Sequence, residues 1–454
     1  MKKPSFRLSV ALALSLFTGG FAIAQTPPPA TCSAPASWFP HSQTPMPDPN
    51  IFPGSNATNC DFHQWSWQMF LWLTQDWQGQ MRFLSFPTDT DLFDAANFAK
   101  KPLSLAALNA RNAKPQQVRL KLRGLKPMKV GAMVNDPNRV IQASGGIMVG
   151  LDHRPVYYSV HFDPTFYGFI QSNGYYDYNT YIAASPTTNF PPGATELKAS
   201  WRIVPAGGDA GGAYTTQAEI PMLQQDPVTG AVTVDPNKPP QVATVALVGL
   251  HVVGVVANHP EFIWATFEPT SNTPILPANI QPTDNTPVSQ TNFTFYAAGT
   301  FASACNIQVS SPKLNAATQT FAQTTPAFLQ YAEGGGSAVN IANIDALNKS
   351  VHDQLLPTEV WKNYNLIGAV WLLPGALQPN MSPSGADLHG SPNLNNSTME
   401  TFTQTFANCF TCHTTTGTNT SGGLAIPAMN MNLSHVLTDG LVSRETALRK
   451  AKAK

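Results

Sequence analysis

Hydrophobic spacing divides the chain into stretches of different period. From Asn59 to Trp77, in NCDFHQWSWQMFLWLTQDW, apolar residues recur at Trp65, Met69 and Trp72 and again at Phe62, Phe70, Leu73 and Trp77. This spacing wraps apolar side chains around most of a helix, so a buried helix is predicted over 59–77, with His63 read as a hydrogen-bonded structural residue. From about Val118 to Phe301 the period changes to that of strands. VRLKLRGL alternates, RPVYYSVHF and TELKASWRIV are rich in β-branched and aromatic residues, and VATVALVGLHVVGVV is an apolar run with glycine breaks. Asp226-Pro-Val-Thr-Gly230 separates two candidate strands. A helix is expected around Asn340 to Leu355, whereas WKNYNLIGAVWLL at 361–373 fits a helix or a strand. The Pro-, Gly- and Asn-rich stretch 373–396 reads as a linker. Beyond it, Ser397 and Glu400 have the spacing of a capping box, and Met399, Phe402, Phe406 and Cys409 form one apolar stripe, predicting a helix that leads into residue 409.

The first two dozen residues change the picture at the other end. Lys2, Lys3 and Arg7 precede the apolar run Leu8 to Phe17, and small residues occupy the positions before Gln25, the pattern of a secretory signal over 1–24. No later segment has the roughly 20 apolar residues that a membrane-spanning helix needs. The expected organisation is a signal at 1–24, an extended arm at 25–57, a β-rich main domain at 58–372, a linker at 373–396 and a C-terminal segment at 397–454. The fold class is α+β: a sandwich-like β-rich centre with flanking helices and a small α-helical C-terminal part.

Charge narrows the partners. The chain has 26 basic and 26 acidic residues, and loss of the signal's three cations leaves a slight negative excess, which gives nucleic-acid binding no support. Charged residues are only 11% of the chain and prolines number 40, which suits a loop-rich exported protein. Five cysteines are present. Two belong to a motif discussed next, leaving Cys32, Cys60 and Cys305 for one disulfide and one thiol in an oxidising compartment. Three pairings are open, and one at Cys60 would fix the start of the buried helix.

The motif is Cys409-Phe410-Thr411-Cys412-His413. C-x-x-C-H is the signature of covalent c-type haem attachment: two thiols three residues apart reach two vinyl groups on one edge of a porphyrin, and the adjacent imidazole projects under the ring to the iron. A thioredoxin-like redox pair would want a strand before the motif and a βαβ setting around it. A zinc site would need further ligands, and the nearby chain offers only His435 and His389. The expected cofactor is therefore one covalent haem c, with Cys409 and Cys412 as thioethers and His413 as proximal ligand.

The segment resembles a shortened class I cytochrome c over about its last 60 residues, on the strength of CFTCH. The resemblance implies a distal methionine, at Met429 or Met431. His435 is the rival distal ligand, and bis-His ligation would lower the potential relative to His/Met. So short a segment cannot enclose a haem, so the β-rich domain is expected to cover part of it. His251, inside the apolar run LVGLHVVGVV, is then either a core histidine or a residue of the haem pocket. Across the chain, ELKASWR, GLHVV, PEFIWATFEP and WKNYNLIGAVW together with CFTCH resemble a group of large exported bacterial proteins with one haem c and no settled activity.

These features imply periplasmic or secreted electron transfer with a redox partner protein. The alternative is a haem-c-dependent oxidoreductase acting on peroxide, dioxygen or a small-molecule substrate in a pocket between haem and β-rich domain. The basic end at Arg444, Arg449, Lys450, Lys452 and Lys454 reads as a solvated helix terminus whose cations suit the helix dipole.

Overall fold

The computed structural model describes residues 32–93, 101–112, 120–122, 146–383, 385–405, 408–419 and 423–452. The signal segment 1–24 and Phe406 lie outside them. The organising element is an eight-stranded sheet. Its strands are β1 (Leu120–Lys121), β2 (Val156–Phe162), β3 (Thr195–Ile203), β4 (Thr215–Ile220), β5 (Gln241–Val256), β6 (His259–Pro269), β7 (Tyr364–Leu372) and β8 (Leu388–Gly390). All pairs are antiparallel except β1 with β4. The 16-residue β5 is the spine: one edge pairs with β3, and the other pairs first with β4 and then with β6.

The glycines in β5 make room and do not break the strand. A Cβ at Gly254 would lie 2.7 Å from the Trp65 ring, and one at Gly249 would lie within 2.8 Å of the side-chain oxygens of Ser200, Asn396 and Thr398. The segment 361–373, ambiguous by spacing, enters by the 3-10 turn Val360–Asn363 and then forms strand β7. Its apolar positions are needed on both faces of the sheet, which erases the period-two alternation.

The chain is α+β, but one sheet covered on both faces stands where a sandwich-like pair of sheets was expected. On one face Leu197, Trp201, Val252, Ile263, Phe267, Leu366 and Trp371 join the core beneath α1 (Asn59–Thr74) and α4 (Ala338–Gln354). The Phe70 and Phe267 rings stack at 4.2 Å, and Phe62 and Trp371 at 3.8 Å. On the other face Val160, Phe162, Val253, Phe262, Trp264 and Val370 meet Phe410, Leu424, Met429, Met431, Leu433 and Leu437 of the C-terminal segment. Three short helices complete that layer: α2 (Pro164–Ser172), α3 (Tyr178–Ile182) and α5 (Cys409–Cys412). The long α6 (His435–Lys452) closes the chain. Among the described residues no helix is long and apolar enough to cross a membrane.

From Cys32 onward, the arm expected to be extended packs against the main domain. Trp38 and His41 are buried, His41 Nε2 lies 2.9 Å from the Leu71 carbonyl, and a disulfide joins Cys32 to Cys60. Cys305 is left as a buried thiol, pushed up to about 12 by burial. Strands also stop earlier than expected: beyond Pro269 the chain to Gly336 runs as turns, short 3-10 helices and one small hairpin at 314–321. The helix predicted from Ser397 is replaced by turns over 397–405. Ser397 does not cap, because its N–H and hydroxyl both donate to Glu268 on β6, at 3.0 and 2.5 Å. The capping exchange sits one residue earlier: Asn396 Oδ1 accepts from the Thr398 N–H, and the Asn396 N–H donates to Glu400. Tyr158 and Ser200 then bind Thr398, which ties these turns to the sheet and leaves no continuous helix ladder.

Candidate functional site

Helix α5 is one turn held by reciprocal bonds. The Asn408 side chain accepts the Thr411 N–H at 3.1 Å, and the Thr411 hydroxyl accepts the Asn408 N–H at 3.2 Å. This turn carries Cys409, half-buried, and Cys412, exposed, neither of them in a disulfide. Burial and the nearby Glu400 carboxylate push the Cys409 thiol well above its usual range. His413 caps the turn. Its Nδ1 lies 2.8 Å from the Leu433 carbonyl, and because a carbonyl only accepts, Nδ1 carries the proton and Nε2 keeps its lone pair. Burial, and then the neighbouring His435, hold the His413 imidazole neutral by pushing its pKa well below the usual value.

The fold treats the three distal candidates differently. Met429 and Met431 are fully buried in the apolar layer between sheet and segment. His435, the first residue of α6, lies face to face with His413, with ring centres 4.0 Å apart and planes 18° apart. His435 is thus the candidate in ring contact with His413. His251 faces this layer from β5, with Nε2 3.2 Å from Glu400. His63 lies on the opposite side of the sheet, 2.8 Å from Asn340 Oδ1, and burial pushes it down to about 4. His389 is exposed on β8, opposite Trp371.

Sequence reasoning missed the sheet's own contribution. Trp264 on β6 is buried with its ring centre 4.2 Å from that of His413. On β3, Glu196 binds the Ser434 hydroxyl at 2.7 Å, and Lys198 stands directly across from His251. Burial pushes the Glu196 carboxyl up to about 7. Burial pulls the Lys198 ammonium down, and the nearby Glu400, Glu196 and Cys412 oppose that. The signal was present in TELKASWRI, where Glu196 and Lys198 alternate with Leu197, Ala199 and Trp201. Charged residues on one face of so apolar a strand are informative. Met381, from the stretch read as a linker, was also missed. Its N–H donates to the Thr415 hydroxyl at 2.7 Å and its carbonyl accepts the Thr415 N–H, placing it two residues from His413 along the paired chain.

Chemically, the site offers two thiols on one helical turn and a neutral imidazole with a lone pair directed by the bond on its other nitrogen. That set suits a covalently held macrocycle with a metal at its centre. It does not suit a bare ion, since among the described residues no three His, Cys, Asp or Glu side chains converge. Comparison with protein-family models, with curated proteins and with solved structures finds no match.

Proposed function

We propose that the chain is an exported c-type cytochrome that carries one covalent haem on Cys409 and Cys412 and moves single electrons in the periplasm or outside the cell. The observation that carries this reading is the His413 Nδ1 bond to Leu433, which sets the tautomer needed for a metal ligand directly after two thiols that lie outside any disulfide. The Cys32–Cys60 disulfide supports an oxidising compartment. When bound, the haem supplies the one-electron couple. The chain's part is to attach it, orient it and exclude water. Cys409 and Cys412 would hold it as thioethers, His413 would ligate its iron, and Trp264, Phe410, Met429 and Met431 would wall the site with apolar surface. His435 stacks on His413 with ring centres 4.0 Å apart, closer than two imidazoles on opposite faces of one iron would lie, so ring contact does not select it over Met429 or Met431 as the second ligand.

A second reading rests on the half-buried His251–Glu400 pair beside Lys198. Such groups suit acid–base work on a substrate, in a haem-c-dependent oxidoreductase. Ferric and ferrous absorption spectra with and without carbon monoxide separate the two. A low-spin spectrum that the gas leaves unchanged is expected for the carrier, and rapid ligation of a high-spin iron would establish the enzyme instead. Single alanine variants of Met429, Met431 and His435 assign the second ligand, because loss of the true one should convert the low-spin spectrum to a gas-binding one. The double variant Cys409→Ala/Cys412→Ala should lose covalent haem on a denaturing gel, and full retention there would sink the proposal.

A further inference from the structure

We propose that the sheet binds the two carboxylates of the haem, through the indole N–H of Trp264 and the ammonium of Lys198. This rests on the haem reading above and adds to it which part of the molecule orients the cofactor.

Trp264 is 8% exposed, yet its Nε1 finds no hydrogen-bond partner. Its cross-strand neighbours, Val253 on β5 and Val370 on β7, offer no side-chain acceptor, and its ring lies against His413 and Phe410. Native proteins pair nearly every buried donor, so an orphaned N–H beside an attachment motif marks where an acceptor from outside the polypeptide belongs.

Lys198 is the matching cation. It projects from the same face of the sheet, with Nζ 5.3 Å from the centre of the Tyr158 ring, and makes no ion pair within 4 Å among the described residues. The two carboxylates near it have other partners. Glu196 holds Ser434, and Glu400 is engaged by His251 and by the Asn396 N–H. The C-terminal segment cannot take over this task with charge, because no Lys or Arg occurs between Glu400 and Asp439. Arg444, the first arginine beyond, donates to the Tyr176 carbonyl. A porphyrin with two carboxylates attached to this segment therefore meets a cation and an orphaned donor on strands β3 and β6. The thioether edge is held by the segment and the acidic edge by the sheet.

The test is resonance Raman spectroscopy of the haem-loaded full chain together with its midpoint potential, for wild type, Trp264→Phe, Lys198→Met and Phe262→Leu. Loss of a donor should shift the propionate bending mode to lower frequency in Trp264→Phe and in Lys198→Met. It should also lower the potential in both, because a less compensated carboxylate favours ferric iron. Phe262→Leu disturbs packing beside Trp264 without removing a donor and should leave the mode in place. An unchanged mode in both donor variants overturns the assignment while leaving the haem reading intact. A free organic acid held by the same two groups would give that unchanged result, since the mode belongs to the cofactor. Absence of covalent haem from wild type would instead remove the haem reading, and this proposal with it. Should Trp264→Phe fail to fold, half-buried Lys198→Met decides alone.

Discussion

Glu268 shows how a single side chain joins the two layers. It is buried on β6, and its carboxylate accepts from both the N–H and the hydroxyl of Ser397. Burial, opposed by these bonds and reinforced by Glu400, pushes its pKa from 4.5 up to about 7. The folded state thus favours the protonated acid. Its contribution to stability is complete below pH 4.5 and is lost as the pH rises through 7. His63 and His161 act in the opposite direction: burial lowers both to about 4, so their contribution is complete above pH 6.5 and is lost as the pH falls through 4. Glu268→Gln keeps a carbonyl for Ser397 and removes the ionisation. Its melting temperature relative to wild type should therefore rise between pH 5 and pH 8, by the equivalent of at most about 3 kcal/mol, read by calorimetry at the two pH values. An unchanged difference would mean that Glu268 titrates normally. Gly249 tests the same seam sterically. Because an added methyl would meet Ser200, Asn396 and Thr398, Gly249→Ala should cost about 1–3 kcal/mol in urea titration, where an ordinary strand position would gain from the change.

At the scale of elements, legibility followed how local the cause was. Helix α1 was readable because its apolar spacing is a property of the segment itself, and its Thr58–Asp61 capping box supplies a start within three residues. Helix α4 and the strands at 156–162 and 195–203 were readable for the same reason. The helix expected from Ser397 was misread because the residues that decide it are distant: Glu268 takes the hydroxyl that would have capped it, and the Tyr158 hydroxyl donates to the Thr398 carbonyl that a helix ladder would have used. At the candidate site the turn Cys409–His413 was legible as a motif, since its spacing is a property of five consecutive residues. Trp264, Lys198 and Met381 were not, because only the tertiary fold brings them to it. The arm lies between these cases. Its Pro-rich composition hid a strap whose position depends on one covalent link across 28 residues. Replacing Cys32 and Cys60 together by Ser should lower stability by about 3–4 kcal/mol on the chain-entropy estimate, measured by denaturant titration. A loss near zero would show that Trp38 and His41 anchor the strap unaided.

For the whole molecule, the sheet is a partition with one buried cluster on one side and, on the other, the layer that holds the candidate site. The C-terminal segment holds much of its apolar surface against that partition. Phe410, Leu424, Ile426, Met429, Met431, Leu433 and Leu437 share one buried cluster with Val253, Phe262, Trp264 and Val370. Its polar ties also lead outwards: Ser434 to Glu196, Asn432 to Tyr181, the Ala425 carbonyl to Tyr178, and Arg444 to the Tyr176 carbonyl. Apart from α6, its own elements are short. Helix α5 is a single turn, and α6 presents only Val436, Leu437, Leu441, Val442 and Arg444 as buried positions. A piece of this size has too little core to offset the entropy of ordering it, unless a cofactor or a partner surface adds to it. Residues 397–454 expressed alone should therefore lack a cooperative thermal transition by circular dichroism, where an independent small cytochrome would show one after haem attachment. Adding back the remainder of the chain should restore the transition, because the missing half of the core lies on β2, β5, β6 and β7. If the segment instead folds alone with haem attached, the sheet is a neighbour of the cofactor and not a wall of its site.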